Sequence, residues 1–221
     1  MMEYDLYWAR VNQDSLQDRR HLSDLYDAEV RETDDAFKKL MTEFTGVVKR
    51  PTIFILLSDH GEEFYEHGGK EHRQLYDETT RVVLIIRHPH VPNGRRIRGP
   101  VSLIDVAPTV LDLLNLRSLK QTQGESVLDI IGGSKRSRPR FFELPLEGTM
   151  AVEYGGRKLM LRDRYNSGKK AGPEFPHQPI GRKTSLSRFS DVEVYNLAQD
   201  PREVYNLGTS QPEFKSLFEI L

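Results

Sequence analysis

The chain has 221 residues, with 32 Lys and Arg against 33 Asp and Glu, and 37% of its residues are hydrophobic. This length suits one domain with a small appendage, and the composition argues against a disordered chain or a general nucleic-acid binder. Cysteine is absent, which excludes disulfides, thiolate zinc sites and cysteine nucleophiles in this chain.

The first predicted elements are one helix and two apolar strands. Apolar residues at helical spacing predict a long amphipathic helix over 22–40, with Ser23 or Asp24 as its N-cap. The run 52–57 is apolar on both faces and predicts a central strand that is covered on both sides. The run 82–86 predicts a second core strand. Neither run approaches the roughly 18 to 20 residues that cross a bilayer, so we expect no membrane span.

A basic loop and a second helix follow these strands. Residues 93–100 are basic and rich in turn formers, which predicts a loop. Residues 102–116 have apolar positions on one helical face and carry Pro108 in the first turn, which predicts a helix. Two core strands, separated and followed by helices, indicate an α/β layer architecture.

The pattern changes to short strands from about residue 141. The predicted strands are 141–144, 149–154, 157–161 and 191–195, and Gly155-Gly156 makes 149–161 a hairpin. Residues 165–190 are rich in Gly, Pro, Ser and basic residues and predict a long loop. Residues 157–188 contain nine Lys and Arg and two Asp and Glu. They form either a solvated basic loop or a rim that attracts an anionic substrate.

The segment Ser58-Asp59-His60-Gly61 is the sharpest chemical feature of the sequence. It stands where a buried strand ends, and ligands bind at strand ends in open α/β sheets because the loops diverge there. Asp59 offers a hard oxygen and His60 an imidazole nitrogen, so both are candidate ligands for a divalent cation. The alternative is an Asx-type turn that caps a helix.

Three further polar residues follow within 13 residues of this segment: His67, Lys70 and His72. A cation with neighbouring Lys and His suits a tetrahedral oxyanion such as sulfate or phosphate, because these groups neutralise charge in the transition state. Each residue also has an ordinary structural interpretation. Lys70 would be a solvated charge and His67 a hydrogen-bonding loop residue.

Three segments, in this order and spacing, resemble the second half of the sulfatase family within the alkaline phosphatase superfamily. They are Ser-Asp-His-Gly-Glu-Glu-Phe-Tyr-Glu-His-Gly (58–68), Leu-Tyr-Asp-Glu-Thr-Thr-Arg-Val-Val-Leu-Ile-Ile (75–86) and Pro-Val-Ser-Leu-Ile-Asp-Val-Ala-Pro-Thr-Val-Leu-Asp-Leu-Leu (100–114). Tyr-Asp-Ala-Glu-Val (26–30) and Val-Tyr-Asn-Leu (194–197) extend the likeness to residues 20–210 or so.

The resemblance implies an α/β fold, with part of a mixed central β-sheet flanked by helices. It also implies a small antiparallel β subdomain with a C-terminal helix, so we expect a core portion over 1–140 and the subdomain over 141–221. Arg81, Asp105 and Thr109 match family positions where we expect structural roles in packing and helix capping.

The family's functional positions can be carried over one residue at a time. Asp59 and His60 correspond to its second pair of metal ligands, usually around calcium, with magnesium or manganese as alternatives. The sulfate-contacting Lys or His of the family falls at His72, and Lys70 competes for this role because loop lengths vary. The resemblance makes these two the candidate catalytic residues. The spacing of the loop after the strand end adds His67 to the substrate-binding set.

One family feature is missing from the sequence. Sulfatases carry a first aspartate pair and a Cys or Ser in Cys/Ser-x-Pro-x-Arg, which is oxidised to the formylglycine nucleophile. Here Ser137-Arg138-Pro139-Arg140-Phe141 is the nearest match, but it lacks the final arginine and follows the metal strand instead of preceding it. We therefore expect this chain to represent the C-terminal portion of a sulfatase, with no formylglycine candidate of its own.

Three functional hypotheses remain open. The first is a metal-dependent hydrolase of sulfate esters or other anionic small molecules, whose nucleophile lies outside this sequence. The second is a catalytically silent module that binds a metal, an anion or a partner, and the third is a phosphodiesterase or phosphonate hydrolase of the same superfamily. We expect self-association or an N-terminal half as the partner, no nucleic acid and, because no secretory signal is visible at the start, a cytoplasmic location by default.

Overall fold

The computed structural model describes residues 10–89, 94–163 and 186–221. The chain forms two compact units, one of Met1–His72 with Val82–Pro92 and the other of Arg73–Arg81 with Asn93–Leu221. The division into domains 1–140 and 141–221 stays a prediction. Among the described residues, no helix combines the length and apolar character needed to cross a membrane.

Helix α1 of the first unit spans Leu16–Val47 and is longer than predicted. Its N-cap is Ser15, whose hydroxyl accepts a hydrogen bond from the Asp18 backbone N–H at 3.2 Å and donates to the Asp18 carboxylate at 2.9 Å. The prediction of Ser23 or Asp24 as the cap is wrong. The polar residues before residue 22 continue the helix because this reciprocal cap satisfies its first turn.

The two apolar runs pair with each other in an antiparallel ladder. Strand β1 is Phe54–Leu57 and strand β4 is Leu84–Arg87, with Phe54 opposite Arg87 and Leu57 opposite Leu84. Phe44 of α1 packs edge-on against Phe54 at 5.2 Å. The expected cover on both faces is not found in the described residues: Leu57 is 41% exposed and Ile85 55%. The apolar run shows what the strand can bury, and the described part of the chain covers only some of that surface.

Short elements connect these two strands. Strands β2 (Glu63–Phe64) and β3 (Lys70–Glu71) form a two-residue antiparallel ladder. Helix α2 (Asp77–Thr80) follows and belongs to the second unit. The ladder closes a short loop that contains His67, and Lys70 lies in its second strand.

The second unit begins with short helices and ends in a sheet. A 3-10 turn at Leu103–Asp105 leads into α3 (Val106–Leu113), which confirms the predicted helix in a shorter form, and α4 is Leu128–Ile131. Four antiparallel strands follow in the order β5-β6-β7-β8, and α5 is Pro212–Ile220. Their bounds are Arg140–Leu144, Thr149–Tyr154, Arg157–Asp163 and Phe189–Asn196.

The predicted hairpin at the centre of this sheet is confirmed. Gly155 and Gly156 have φ values of 59° and 74°, which glycine adopts without the steric cost that a side chain would add. Most of the predicted loop 165–190 lies outside the described residues. The loop ends earlier in the chain than predicted, because a 3-10 turn at Leu186–Arg188 leads directly into β8.

The sheet of the second unit is buried on both faces. One face packs against α5, where Val152, Leu159 and Leu161 meet Phe214 and Leu217. The opposite face packs against the segment before α2, with Leu75 and Tyr76 against Ala151, Met160 and Tyr195. The first unit has a smaller cluster of buried residues, Leu22 and Tyr65.

Candidate metal and anion site

The loop after β1 is fixed to the opposite strand at its first residue. The Ser58 backbone N–H donates to the Val83 carbonyl at 3.2 Å, and the Ser58 hydroxyl accepts from the Val83 backbone N–H at 3.0 Å. The ladder therefore continues one residue past β1 before the chain turns away. This anchor sets the position from which Asp59 and His60 project.

Asp59 and His60 lie side by side at this strand end. Asp59 Oδ2 and His60 Nε2 are 3.7 Å apart, and the Asp59 side chain is 86% exposed. The His60 backbone N–H donates to Asp59 Oδ1 at 3.0 Å. The pKa of Asp59 is lowered, first by its own backbone N–H and then by the charge of His60. Its carboxylate is thus favoured in the ionised form that a cation requires.

His60 also lies against His72, twelve positions later in the chain. The two rings stack with centroids 4.0 Å apart and planes inclined by 30°. His72 Nδ1 is 3.7 Å from Glu62 Oε2, and His60, Glu62 and His72 each present one ligating atom within 4.8 Å of the others. The fold thus gathers two imidazoles and one carboxylate beside Asp59.

Glu62 is a member of this group that the sequence did not identify. Its side chain is only 15% exposed. Burial raises the pKa of Glu62, and the neighbouring His72 and His60 act in the opposite direction. The available signal was a Glu-Glu pair directly after Asp-His-Gly, but a charged pair in a loop is ordinary in sequence terms.

The buried Glu63 side chain holds the rest of the loop through backbone hydrogen bonds. The side chain is fully buried, and Oε1 accepts the backbone N–H groups of His67 at 3.0 Å and Gly69 at 2.9 Å. Gly68 has a φ of 78° and Tyr65 a φ of 67°. A buried carboxylate and a left-handed backbone at a bulky residue indicate that the surroundings hold this loop in one specific shape.

The predicted anion-contacting residues occupy different places. His72 belongs to the group with His60 and Glu62. Lys70 lies in β3, 43% exposed, with its ammonium 3.9 Å from Glu71. His67 is held through its backbone by Glu63. The roles of His67, Lys70 and His72 stay predictions, as do those of Asp59 and His60.

The residues expected to be structural do make structural contacts. Asp105 is fully buried. Its carboxylate accepts hydrogen bonds from the backbone N–H groups of Ser102 and Glu125 and from the Arg138 guanidinium. The hydroxyl of Thr109 donates to the Asp105 carbonyl at 2.6 Å and accepts from the Val127 backbone N–H at 3.0 Å. Arg81 pairs with Asp77 one helical turn earlier at 2.7 Å.

The donors at the strand end fit a divalent cation. Two cis ligands about 2.1 to 2.4 Å from one ion lie about 3 to 3.5 Å apart. The 3.7 Å between Asp59 Oδ2 and His60 Nε2 needs only a small adjustment to reach this range. An exposed carboxylate and an adjacent imidazole are groups that such an ion accepts.

Comparison with known proteins gives one family. The family model described as Sulfatase matches residues 4–116. Arylsulfatase K of Gallus gallus is 30% identical over 210 residues, which cover 93% of this chain and 37% of that protein.

Two solved structures show the same fold. One, determined in complex with its substrate D-glucosamine-2-N,6-O-disulfate, superposes with a TM-score of 0.59 at 23% identity and covers 87% of this chain and 38% of that one. The other comes from work on glycosaminoglycan metabolism by Bacteroides thetaiotaomicron and gives a TM-score of 0.70 at 16% identity, covering 97% and 46%. The chain thus spans less than half the length of each of these relatives.

Proposed function

Because the chain belongs to the sulfatase family, we propose that it supplies half of the metal site and the anion-contacting loop for hydrolysis of a sulfate ester. The observation that carries the proposal is the pair Asp59 and His60, which lie side by side at the end of β1 with Oδ2 and Nε2 3.7 Å apart. This is the position, and these are the residue types, at which the family's second pair of metal ligands is expected.

Asp59 and His60 would hold the cation. Calcium is the first candidate, with magnesium and manganese as alternatives. A cation bound here would act as a Lewis acid on the sulfate group. The lowered pKa of Asp59 keeps its carboxylate ionised, and the hydrogen bond from the His60 backbone fixes the orientation of that carboxylate.

His72 and Lys70 would act on the sulfate oxygens. His72 lies against the His60 ring, so a group held at the Asp59–His60 pair comes within reach of its imidazole. Lys70 offers an ammonium group from β3, two residues before His72. Either residue would stabilise the negative charge that develops on the leaving oxygen, and His67 would contact the substrate from the same loop.

The nucleophile would come from residues outside this sequence, which has no cysteine and no complete Cys/Ser-x-Pro-x-Arg segment. The experiment therefore starts with the coding sequence upstream of Met1. If an in-frame Cys/Ser-x-Pro-x-Arg is found there, the longer polypeptide is assayed with 4-nitrocatechol sulfate. We expect hydrolysis that falls by at least about 100-fold in Asp59→Asn and on treatment with a chelator, because the charge stabilisation supplied by the cation is lost.

A matched control is Asp35→Asn, which removes the same charge from an exposed position of α1. It should keep full activity. Hydrolysis that survives both Asp59→Asn and chelation would refute the proposal. Equal or faster hydrolysis of a phosphodiester or phosphonate ester would favour the third hypothesis, that of a related superfamily hydrolase.

The exposed apolar faces of β1 and β4 favour a second candidate, a partner-binding module. Leu57 and Ile85 are accessible in this chain, although they belong to apolar strand runs. Such faces are usually covered by a partner or by self-association. Size-exclusion chromatography with light scattering should give a dimer or larger species for the chain alone, and a stable monomer at high concentration would contradict it.

A further inference from the structure

We propose that His60, Glu62 and His72 together form a binding site for a transition-metal ion of the zinc class. This site differs in ligands and in metal from the Asp59–His60 pair proposed for calcium, although the two sites share His60. Its donor set lies within the first compact unit and is complete without any residue from outside the chain.

The ligand types select this class of metal. Imidazole nitrogen suits zinc, copper, nickel and iron, whereas calcium and magnesium take oxygen ligands. Two histidines and one glutamate, with a fourth position open to water, are a donor set used by zinc sites. The mixed set His60, Glu62 and His72 therefore favours zinc over calcium.

The separation between His72 and Glu62 is close to the one that zinc requires. The three ligating atoms lie within 4.8 Å of one another, and His72 Nδ1 is 3.7 Å from Glu62 Oε2. Ligands about 2.1 Å from a tetrahedral ion lie about 3.4 Å apart. The His72 side chain is 51% exposed, so its ring has room to turn toward the ion while the rest of the loop stays in place.

His60 is held in a suitable state by its neighbour in the chain. Its Nδ1 lies 2.7 Å from the Gly61 carbonyl oxygen. An Nδ1–H that donates to this carbonyl leaves the Nε2 lone pair available for a metal. A hydrogen bond from the second ring nitrogen to a carbonyl is the arrangement by which metal-binding histidines are oriented.

Glu62 provides the observation that points to a ligand. Its Oε1 atom is buried, and the described residues offer it no hydrogen-bond partner, whereas Oε2 faces His72. A buried carboxylate oxygen without a partner is unfavourable, and a cation that Glu62 binds through both of its oxygens would satisfy it. A metal at this site would occupy His60 and His72 together, so zinc should also compete with calcium for the adjacent pair.

The test is zinc binding to the tag-free 221-residue chain, followed by calorimetry, with cobalt absorption as a report on the ligand geometry. We expect one zinc ion per chain. The affinity should fall at least about tenfold in Glu62→Gln and in His72→Ala, since losses of about 10- to 100-fold already follow from changes outside the ligand shell. Glu32→Gln and His21→Ala, at exposed positions of α1, are the matched controls and should bind normally.

Asp59→Asn separates this proposal from the proposed function. It removes the carboxylate proposed for calcium and keeps His60, Glu62 and His72, so the zinc affinity should fall less than in Glu62→Gln or His72→Ala and stay well inside the tenfold loss expected for a missing zinc ligand. Zinc affinity that is unchanged in both Glu62→Gln and His72→Ala, or that is lost in Asp59→Asn, would overturn the zinc site. Circular dichroism confirms folding, and if Glu62→Gln does not fold, the half-exposed His72→Ala variant decides the matter.

Discussion

The two compact units of this chain use apolar residues very differently. In the second unit, Val152, Leu159 and Leu161 are fully buried between the strands and α5. In the first unit, Leu57 and Ile85 belong to equally apolar strands and remain exposed, while the polar loop beside them is tightly organised around Glu63. The second unit therefore contains its own core, and the first contains the candidate site, on strands that still have apolar surface to bury.

The comparison shows that a precise loop does not need a large local core. Glu63 orders the site loop through two backbone hydrogen bonds, and Ser58 fixes its start to Val83, directly before β4. These contacts are polar. They shape the loop while the apolar strand faces stay available to a partner or a second copy of the chain.

The largest expected effect comes from breaking the buried ion pair of the second unit. Lys158 Nζ lies 2.7 Å from Glu203 Oε1, and both side chains are buried. Lys158→Met would leave the Glu203 carboxylate buried without its cation and should lower the free energy of unfolding by about 3 to 5 kcal/mol. Urea denaturation followed by circular dichroism measures this loss. The double variant Lys158→Met/Glu203→Gln removes both charges, keeps an acceptor for the Asp77 backbone N–H and should recover part of the loss. A loss below about 1 kcal/mol in the single variant would contradict the role of the pair.

The next effect tests the contrast between the units with one kind of substitution. Leu159→Ala removes a fully buried side chain and should cost about 2 to 5 kcal/mol of unfolding free energy. Leu57→Ala removes a side chain that is accessible in β1 and should cost no more than about 1 kcal/mol. Denaturation of both variants at low protein concentration compares them. Equal losses would show that the first unit has a core comparable to that of the second.

A smaller effect is expected at the start of α1. Ser15→Ala removes the capping hydroxyl and should destabilise the first unit by about 1 kcal/mol. Ser23→Ala is the informative control, because the sequence predicts Ser23 or Asp24 as the cap. It lies inside the helix, where alanine should be neutral or slightly stabilising. A larger loss of thermal stability in Ser23→Ala than in Ser15→Ala would support the cap predicted from the sequence instead.

The smallest effect is a change in pH dependence at Glu62. Its pKa is raised by burial above the ordinary 4.5, so the folded state holds this proton more tightly than the unfolded state. The resulting stability is present below pH 4.5 and is lost as the pH rises through the higher folded pKa. Glu62→Gln cannot ionise, so its stability does not fall with pH for this reason. In the presence of a chelator the variant should therefore gain stability relative to the original chain as the pH rises. A difference that does not vary with pH would contradict the assignment.

Local patterns were sufficient for much of the fold. The hairpin at Gly155-Gly156 and the strands around it follow from a two-residue turn between alternating residues, and the structure confirms them. The run at 52–57 predicts a strand at the right position, but the predicted cover on both faces is wrong for the described residues. An apolar run does not say which neighbouring element covers it. The cap of α1 was misplaced because Ser23 satisfies the same local rule as Ser15.

The sequence by itself determined the family and the segment that carries the site, because three contiguous motifs keep their order and spacing. Only the tertiary structure decided which side chains meet. It stacks His72 on His60 and adds Glu62, and in the other unit it pairs Lys158 with Glu203. The physical reason is that spacing along the chain specifies turns and strands, whereas the burial of a charge and the partner that compensates it depend on how distant segments pack.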